Sequence, residues 1–177
     1  MRIDAYAAAH GGARLEPWSY ESEPGEDDVV VAVTHCGICH SDVHLVDGDW
    51  GEVYPLVPGH EVVGEVVSGG GLPPGTRVGI GWQCDSCGTC EWCEAGEEVL
   101  CSNSVATCMH HHGGFASHVV ANRRFVFPLP NHLVSTVAAP LLCGGATVYT
   151  RLRQYAGEGA RVGVVGIGGL GHLALQL

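Results

Sequence analysis

The sequence predicts a mainly β protein, a barrel or sandwich of short strands, which changes near Pro140 to a helical pattern and then to the start of a strand–turn–helix unit. Three observations carry this. Glycine makes up 27 of 177 residues, about twice its usual share of roughly 7%, which favours turns over long helices. Short β-branched runs recur between turn residues, at 29–33, 62–67 and 77–81, the spacing of an all-β barrel or sandwich. Finally, Gly166, Gly168 and Gly171 follow a valine run and open an apolar segment.

Taken in order, the first 35 residues alternate apolar and polar side chains, and Val29–Val33 is the clearest strand. Residues 36–46 read as a short helix bearing Cys39 and His40, and 47–51 as a loop. Strands follow at 62–67, broken by Gly64, and at 77–81; Cys84 to Cys101 is a cysteine-rich lobe with little apolar content. Further strands are expected at 115–120 and 124–127, a helix from Ala138 to about Tyr155, a buried strand at 161–165 and a helix from His172. This divides the chain into 1–155 and 156–177.

Composition excludes several classes. With 46% apolar and 15% charged residues, the chain buries enough surface to fold. No apolar run approaches the roughly 18 residues of a membrane helix, and the start is not a secretory signal, so no membrane partner and a cytoplasmic location are expected. All eight basic residues are arginine and the net charge is -11, which repels phosphate backbones and makes nucleic acid a poor partner. Nine cysteines are an odd number, which argues against a complete disulfide framework. Without a leader, metal binding is the better reading.

Cys87, Cys90, Cys93 and Cys101 have the spacing C-x2-C-x2-C-x7-C. Four thiolates this close can surround one Zn²⁺ tetrahedrally, a closed site that is structural. A run for an iron–sulfur cluster would have a shorter last gap followed by proline, and a nucleic-acid zinc ribbon does not suit the acidic balance. Cys84, three residues before Cys87, is a rival ligand. A catalytic zinc needs three ligands and an open position. Cys39, His60 and Cys143 are candidates, but spacing alone does not select them, because a lone cysteine is commonly a small hydrophobe. Cys36-x-x-Cys39 has the spacing of a redox pair without the βαβ context of one. His110–His112 reads as a loop near an active-site mouth rather than a metal tract. Gly166-x-Gly168-x-x-Gly171 after a strand is the context of a dinucleotide-binding turn.

The runs CGICHSDVH, YPLVPGHE, the four-cysteine lobe, APLLCGGATVY and VGVVGIGGLGHLA occur in this order. Together they resemble the zinc-dependent medium-chain alcohol dehydrogenases, and most closely their cinnamyl-alcohol-dehydrogenase-like branch. The resemblance implies a GroES-like β-barrel catalytic domain with a structural zinc lobe, followed by the first strand, turn and helix start of a Rossmann domain. It implies two zincs per chain. Cys39, His60 and Cys143 match the ligands of the catalytic one, and the four lobe cysteines those of the structural one. Glu61 matches an acid that can approach the catalytic zinc, Asp42 the acid orienting the ligand histidine, Ser41 the hydroxyl that takes the alcohol proton and His44 the end of its relay. His40, Thr147, Gly166, Gly168 and Gly171 match cofactor contacts, and Trp50 a wall of the substrate pocket.

The activity so implied is hydride exchange between a small alcohol or aldehyde and NADP or NAD, with a homo-oligomer in the full-length enzyme. The chain stops six residues past Gly171, so the expectation is a catalytic half without the returning segments of its domain, inactive alone. The alternative is a non-catalytic GroES-like zinc-binding module.

Overall fold

A computed structural model describes all 177 residues. A five-stranded antiparallel sheet in the order β8-β3-β4-β5-β9 is its frame. Its strands are β3 (Asp28–Cys36), β4 (Val62–Gly69), β5 (Arg77–Ile80), β8 (His118–Asn122) and β9 (Phe127–Pro128). An antiparallel ribbon of β1 (Arg2–Ala7) and β2 (Glu16–Glu21) is tied to it by isolated bridges from Ala5 to Ala116 and from Ala8 to Leu56.

The uninterrupted valines of β3 reflect burial on both faces, where a strand loses its alternation. Val29 and Val31 pack with Val62, Val78, Ile80, Val119 and Val126, whereas Val30 packs on Ile3 and Val120 under the ribbon. The ribbon itself keeps the two-residue period: Ile3, Ala5 and Ala7 are buried and their neighbours exposed.

A helix α1 (His40–Asp47) follows β3, so the expected helix starts four residues late, with Cys39 as its N-cap. The cysteine lobe lies between the short pair β6 (Gln83–Asp85) and β7 (Val105–Ala106) and contains the one-turn helix α2 (Glu91–Glu94). Residues 124–127 are not a strand: Arg123–Phe125 form a 3₁₀ turn, and only Phe127–Pro128 pair with β5.

The helix expected after Ala138 is a continuous helical run with a flaw inside it. Helix α3 (Ser135–Pro140) passes into a π turn, Leu141–Gly145, and then into α4 (Ala146–Tyr155). Pro140 has no N–H to donate, which favours a break in the ladder.

The strand expected at 161–165 does not form. Val162 and Val165 are exposed, Val165 completely, and the segment pairs with nothing. A strand is stabilised by ladder partners, and none stands beside this one. Helix α5 (Gly169–Ala174) starts earlier than expected and packs on α4 and the π turn. No helix is long and apolar enough to cross a membrane.

Candidate metal centre and active-site cleft

Two separate groups of sulfur and nitrogen atoms are assembled. In the lobe, the ligand atoms of Cys87, Cys90, Cys93 and Cys101 lie within 4.8 Å of one another. The Cys87–Cys101 and Cys90–Cys93 sulfurs are 3.5 Å apart, and the Cys87–Cys93 sulfurs 3.9 Å. A tetrahedron with ~2.3 Å zinc–sulfur bonds has edges of about 3.8 Å, whereas a disulfide is closed at about 2.05 Å. The spacing is that of a metal cage. Hydrogen bonds from the backbone N–H groups of Thr89 and Cys90, and then from the Cys101 and Cys90 side chains, hold the Cys87 thiol down at about 6, which favours the thiolate a metal needs. Cys84 is no part of the group. It is the inward residue of β6, buried in the main core with its Sγ on the Val105 carbonyl.

The second group forms where three distant segments meet. The N-terminus of α1 brings Cys39, the segment before β4 brings His60 and Glu61, and the π turn brings Cys143; their ligand atoms lie within 4.8 Å of one another. The Cys39 and Cys143 sulfurs are 3.9 Å apart. π turns commonly occur at functional sites because the extra residue redirects side chains, and here the turn carries a sulfur.

Asp42 organises this corner. It is buried, and its Oδ2 accepts the N–H of Cys39 at 2.9 Å while its Oδ1 accepts the N–H of Gly59 at 2.8 Å and Nδ1 of His60 at 3.0 Å. A carboxylate only accepts, so Nδ1 carries a hydrogen, and in the neutral ring the lone pair is on Nε2. That Nε2 is buried without any partner. A buried, unpartnered nitrogen beside two sulfurs, with the Glu61 carboxylate in the same group, suits a soft or borderline cation.

Titration follows the same geometry. Burial works against a second proton on His60, but hydrogen bonds with Asp42, Cys108 and Cys143 outweigh it and the net shift is upward. Burial also opposes the Cys39 thiolate, and hydrogen bonds from the Ser41 backbone, the Ser41 hydroxyl and His60 reverse this, so its pKa falls. Burial pushes Glu61 up.

The group opens into a cleft of about 720 Å³. His40, Ser41, His44 and Trp50 line one side of it, and Thr147, Leu170 and His172 the other. A larger hollow of about 870 Å³ lies between the outer face of β1 and the end of β3, but it contains none of the clustered ligand atoms, so chemistry favours the smaller one.

These features agree with what similar chains look like. Residues 25–131 match the family described as the alcohol dehydrogenase GroES-like domain. The chain belongs to the zinc-dependent medium-chain alcohol dehydrogenases. The aldehyde reductase YahK of Escherichia coli (strain K12) is 43% identical over 194 residues, which cover 100% of this chain and 55% of that protein. A cinnamyl alcohol dehydrogenase of Sorghum bicolor superposes with a TM-score of 0.91 at 41% identity, over 99% of this chain and 54% of that one. The cinnamyl alcohol dehydrogenase of Helicobacter pylori, solved in complex with NADP(H), gives 0.92 at 31% identity over 99% and 55%. The chain spans about half the length of the relatives it matches, and the branch is that of the cinnamyl alcohol dehydrogenases and aldehyde reductases.

Within this dehydrogenase fold the remaining expected residues divide. Ser41 lies beside the sulfurs, with Oγ 3.6 Å from Cys39 Sγ. His44 stacks on Trp50 with ring centroids 5.1 Å apart and meets His40 edge-on at 4.7 Å. The Thr147 hydroxyl donates to the Cys143 carbonyl at 2.9 Å and borders the cleft. Of the turn glycines, Gly171 is packed so tightly that a Cβ would strike the Gly166 carbonyl, Gly166 has φ +87°, and Gly168 faces open space. Gly166 likewise has nothing within 4 Å of a Cβ position, so the turn's backbone is open at both residues. The histidine tract is not at the cleft mouth. His112 packs on Trp18 and Tyr20 of β2, with centroids at 5.1 and 4.2 Å, because aromatic surface there offers burial.

Sequence reasoning missed three residues. Asp49 Oδ2 accepts His44 Nδ1–H at 2.8 Å; its placement in an Asp-Gly-Asp turn just past the helix was the available signal. Trp82 lies edge-on to His60 at 4.9 Å. Cys108 Sγ is 3.7 Å from His60 Nδ1, and nothing in its spacing announces this.

Proposed function

We propose that the chain carries the zinc-binding catalytic part of an alcohol dehydrogenase acting as an aldehyde reductase, which exchanges hydride between a small alcohol or aldehyde and NADP or NAD. The observation that carries it is the unpartnered buried Nε2 of His60 beside the Cys39 and Cys143 sulfurs. Those three residues would hold zinc in the cleft, and Cys87, Cys90, Cys93 and Cys101 a second zinc in the lobe. Bound in the cleft, zinc would supply a Lewis acid for the alcohol or carbonyl oxygen.

The chain's own groups do the rest. Asp42 keeps His60 in the tautomer that presents Nε2. Ser41, two residues from Cys39, exchanges a proton with the substrate oxygen. His44, held by Asp49, passes that proton toward solvent. Ser41 is a conduit and not a nucleophile, because its hydroxyl meets the Cys39 sulfur and no histidine or carboxylate bonds it. Trp50 and Leu170 border the cleft with apolar surface, which excludes water and suits a hydrocarbon substituent. The open backbone at Gly168 would receive the cofactor's pyrophosphate.

Metal analysis of the purified chain tests the reading. Two zincs are expected, falling to one in Cys39→Ser with most of the fold kept. Cys101→Ser is expected to lose the lobe metal and to aggregate or unfold the lobe. A wild-type chain with one zinc, unaffected by Cys39→Ser, favours a non-catalytic module and overturns the catalytic assignment.

A further inference from the structure

The cleft reading leaves a buried thiol beside its histidine unused. Cys108 is completely buried, packed with Leu45 and Leu56 and flanked by Trp82 and Met109. In these apolar surroundings its sulfur makes one polar contact, 3.7 Å to Nδ1 of His60. Asp42, His60 and Cys108 place their ligand atoms within 4.8 Å of one another, on the side of the imidazole away from the cleft sulfurs.

We infer that Cys108 is a positioning residue for His60. Its thiol is a second, weak acceptor for the Nδ1–H that Asp42 already receives, and it keeps the ring from swinging so that Nε2 stays aimed at the Cys39–Cys143 pair. This rests on the metal reading of the cleft given above.

Three contacts then fix the ring. The Asp42 carboxylate arrives from α1 at 3.0 Å, the Cys108 sulfur from the turn after β7 at 3.7 Å, and the Trp82 ring from the bend before β6, with centroids 4.9 Å apart. One hydrogen bond to Asp42 leaves rotation about that bond free. A second acceptor off its axis, with an aromatic ring across the face, removes that freedom.

The support for Cys108 is itself rigid. Its neighbour Thr107 is completely buried, and its N–H bonds the Trp82 carbonyl at 2.7 Å while its hydroxyl bonds the Gly81 carbonyl at 2.6 Å. A thiol held this firmly defines a position, where a mobile one would only fill space.

The test uses the chain with zinc in the lobe and cobalt in the cleft, whose visible bands report ligand geometry. Cys108→Val keeps approximate volume and removes the sulfur; Cys108→Ser keeps a polar group and guards against a folding failure of the first variant. Outer-sphere partners typically change metal affinity by about 10–100-fold. For so weak an acceptor a loss of about three- to tenfold is expected in Cys108→Val, with shifted cobalt bands and a smaller change in Cys108→Ser. Unchanged bands and affinity in both variants overturn the inference while leaving the metal site standing. A wild-type chain that takes no cobalt into the cleft, with Cys39→Ser spectrally identical to it, overturns the metal reading and this inference together.

Discussion

At the scale of single residues, His60 joins stability to metal uptake. Its folded pKa lies above the ordinary value of about 6.5, chiefly through Asp42 against the cost of burial. In the metal-free chain the His60–Asp42 pair therefore stabilises the fold below that pH and through neutrality. The contribution is lost only as pH rises through the raised value. A metal must displace that proton, so affinity increases with pH. Chelator competition should show tighter cleft zinc at about pH 8 than at about pH 6; a flat profile contradicts the displacement. The residue scale is also where reading the sequence succeeded unevenly. The lobe quartet stands in a motif whose spacing marks it, whereas Cys39, His60 and Cys143, which spacing alone does not select, were indicated by the resemblance and are gathered by the fold. The choice between Cys84 and Cys87 was in principle available from Gln83-Cys84-Asp85, a polar–apolar–polar strand that turns its sulfur inward. Cys108 and Asp49 were not legible, because their partners are set by where separate segments cross.

At the scale of elements, the join between β3 and α1 has almost no room. A Cβ on Gly37 would overlap the Glu61 carboxylate, and Gly37 N–H bonds the Glu61 carbonyl at 3.0 Å. Gly37→Ala should therefore cost about 1–3 kcal/mol, as overpacking does, and should disturb Cys39 two residues on. Denaturant melts of the metal-free chain, paired with zinc counts, measure both. A full-stability, two-zinc Gly37→Ala contradicts the crowding. The lobe is held to the sheet by Arg124, whose guanidinium donates to the Cys93 carbonyl at 3.2 Å and pairs with Glu98 at 2.5 Å. Arg124→Ala is expected to speed metal loss from the lobe and leave the cleft metal in place, read as two separated phases in a chelation time course. The strands of the main sheet were legible from β-branched runs. The π turn was not, because one extra residue in a helical ladder leaves no periodic trace in so short a run.

At the scale of the whole molecule, the last thirty residues carry a group of exposed apolar side chains. Tyr149, Tyr155, Val162, Val165, Ile167, Leu170, Leu175 and Leu177 are exposed there, beside a valine segment that pairs with nothing. The sequence led to a buried strand because valines in such a run are normally covered. The error lay in assuming the cover. Low solubility, or dye binding that falls when Val165→Ser and Ile167→Ser are combined, is the expected behaviour of such a surface. Dye binding that does not change in the double variant removes that surface as its source.

The two cages close very different lengths of chain. Cys87 and Cys101 are 14 residues apart, whereas Cys39 and Cys143 are separated by 104. A cation gripping both ends of a segment acts on the unfolded chain as a cross-link does. By loop-closure entropy such a link is worth about 3 kcal/mol for a 15-residue loop and about 4.7 kcal/mol for a 100-residue one. An ion held in the cleft would therefore also be a clasp between the start of the first helix and the π turn. On this account losing it leaves the native barrel standing but widens the unfolded ensemble, so a chelator should lower the chain's resistance to denaturant more through the cleft than through the small lobe.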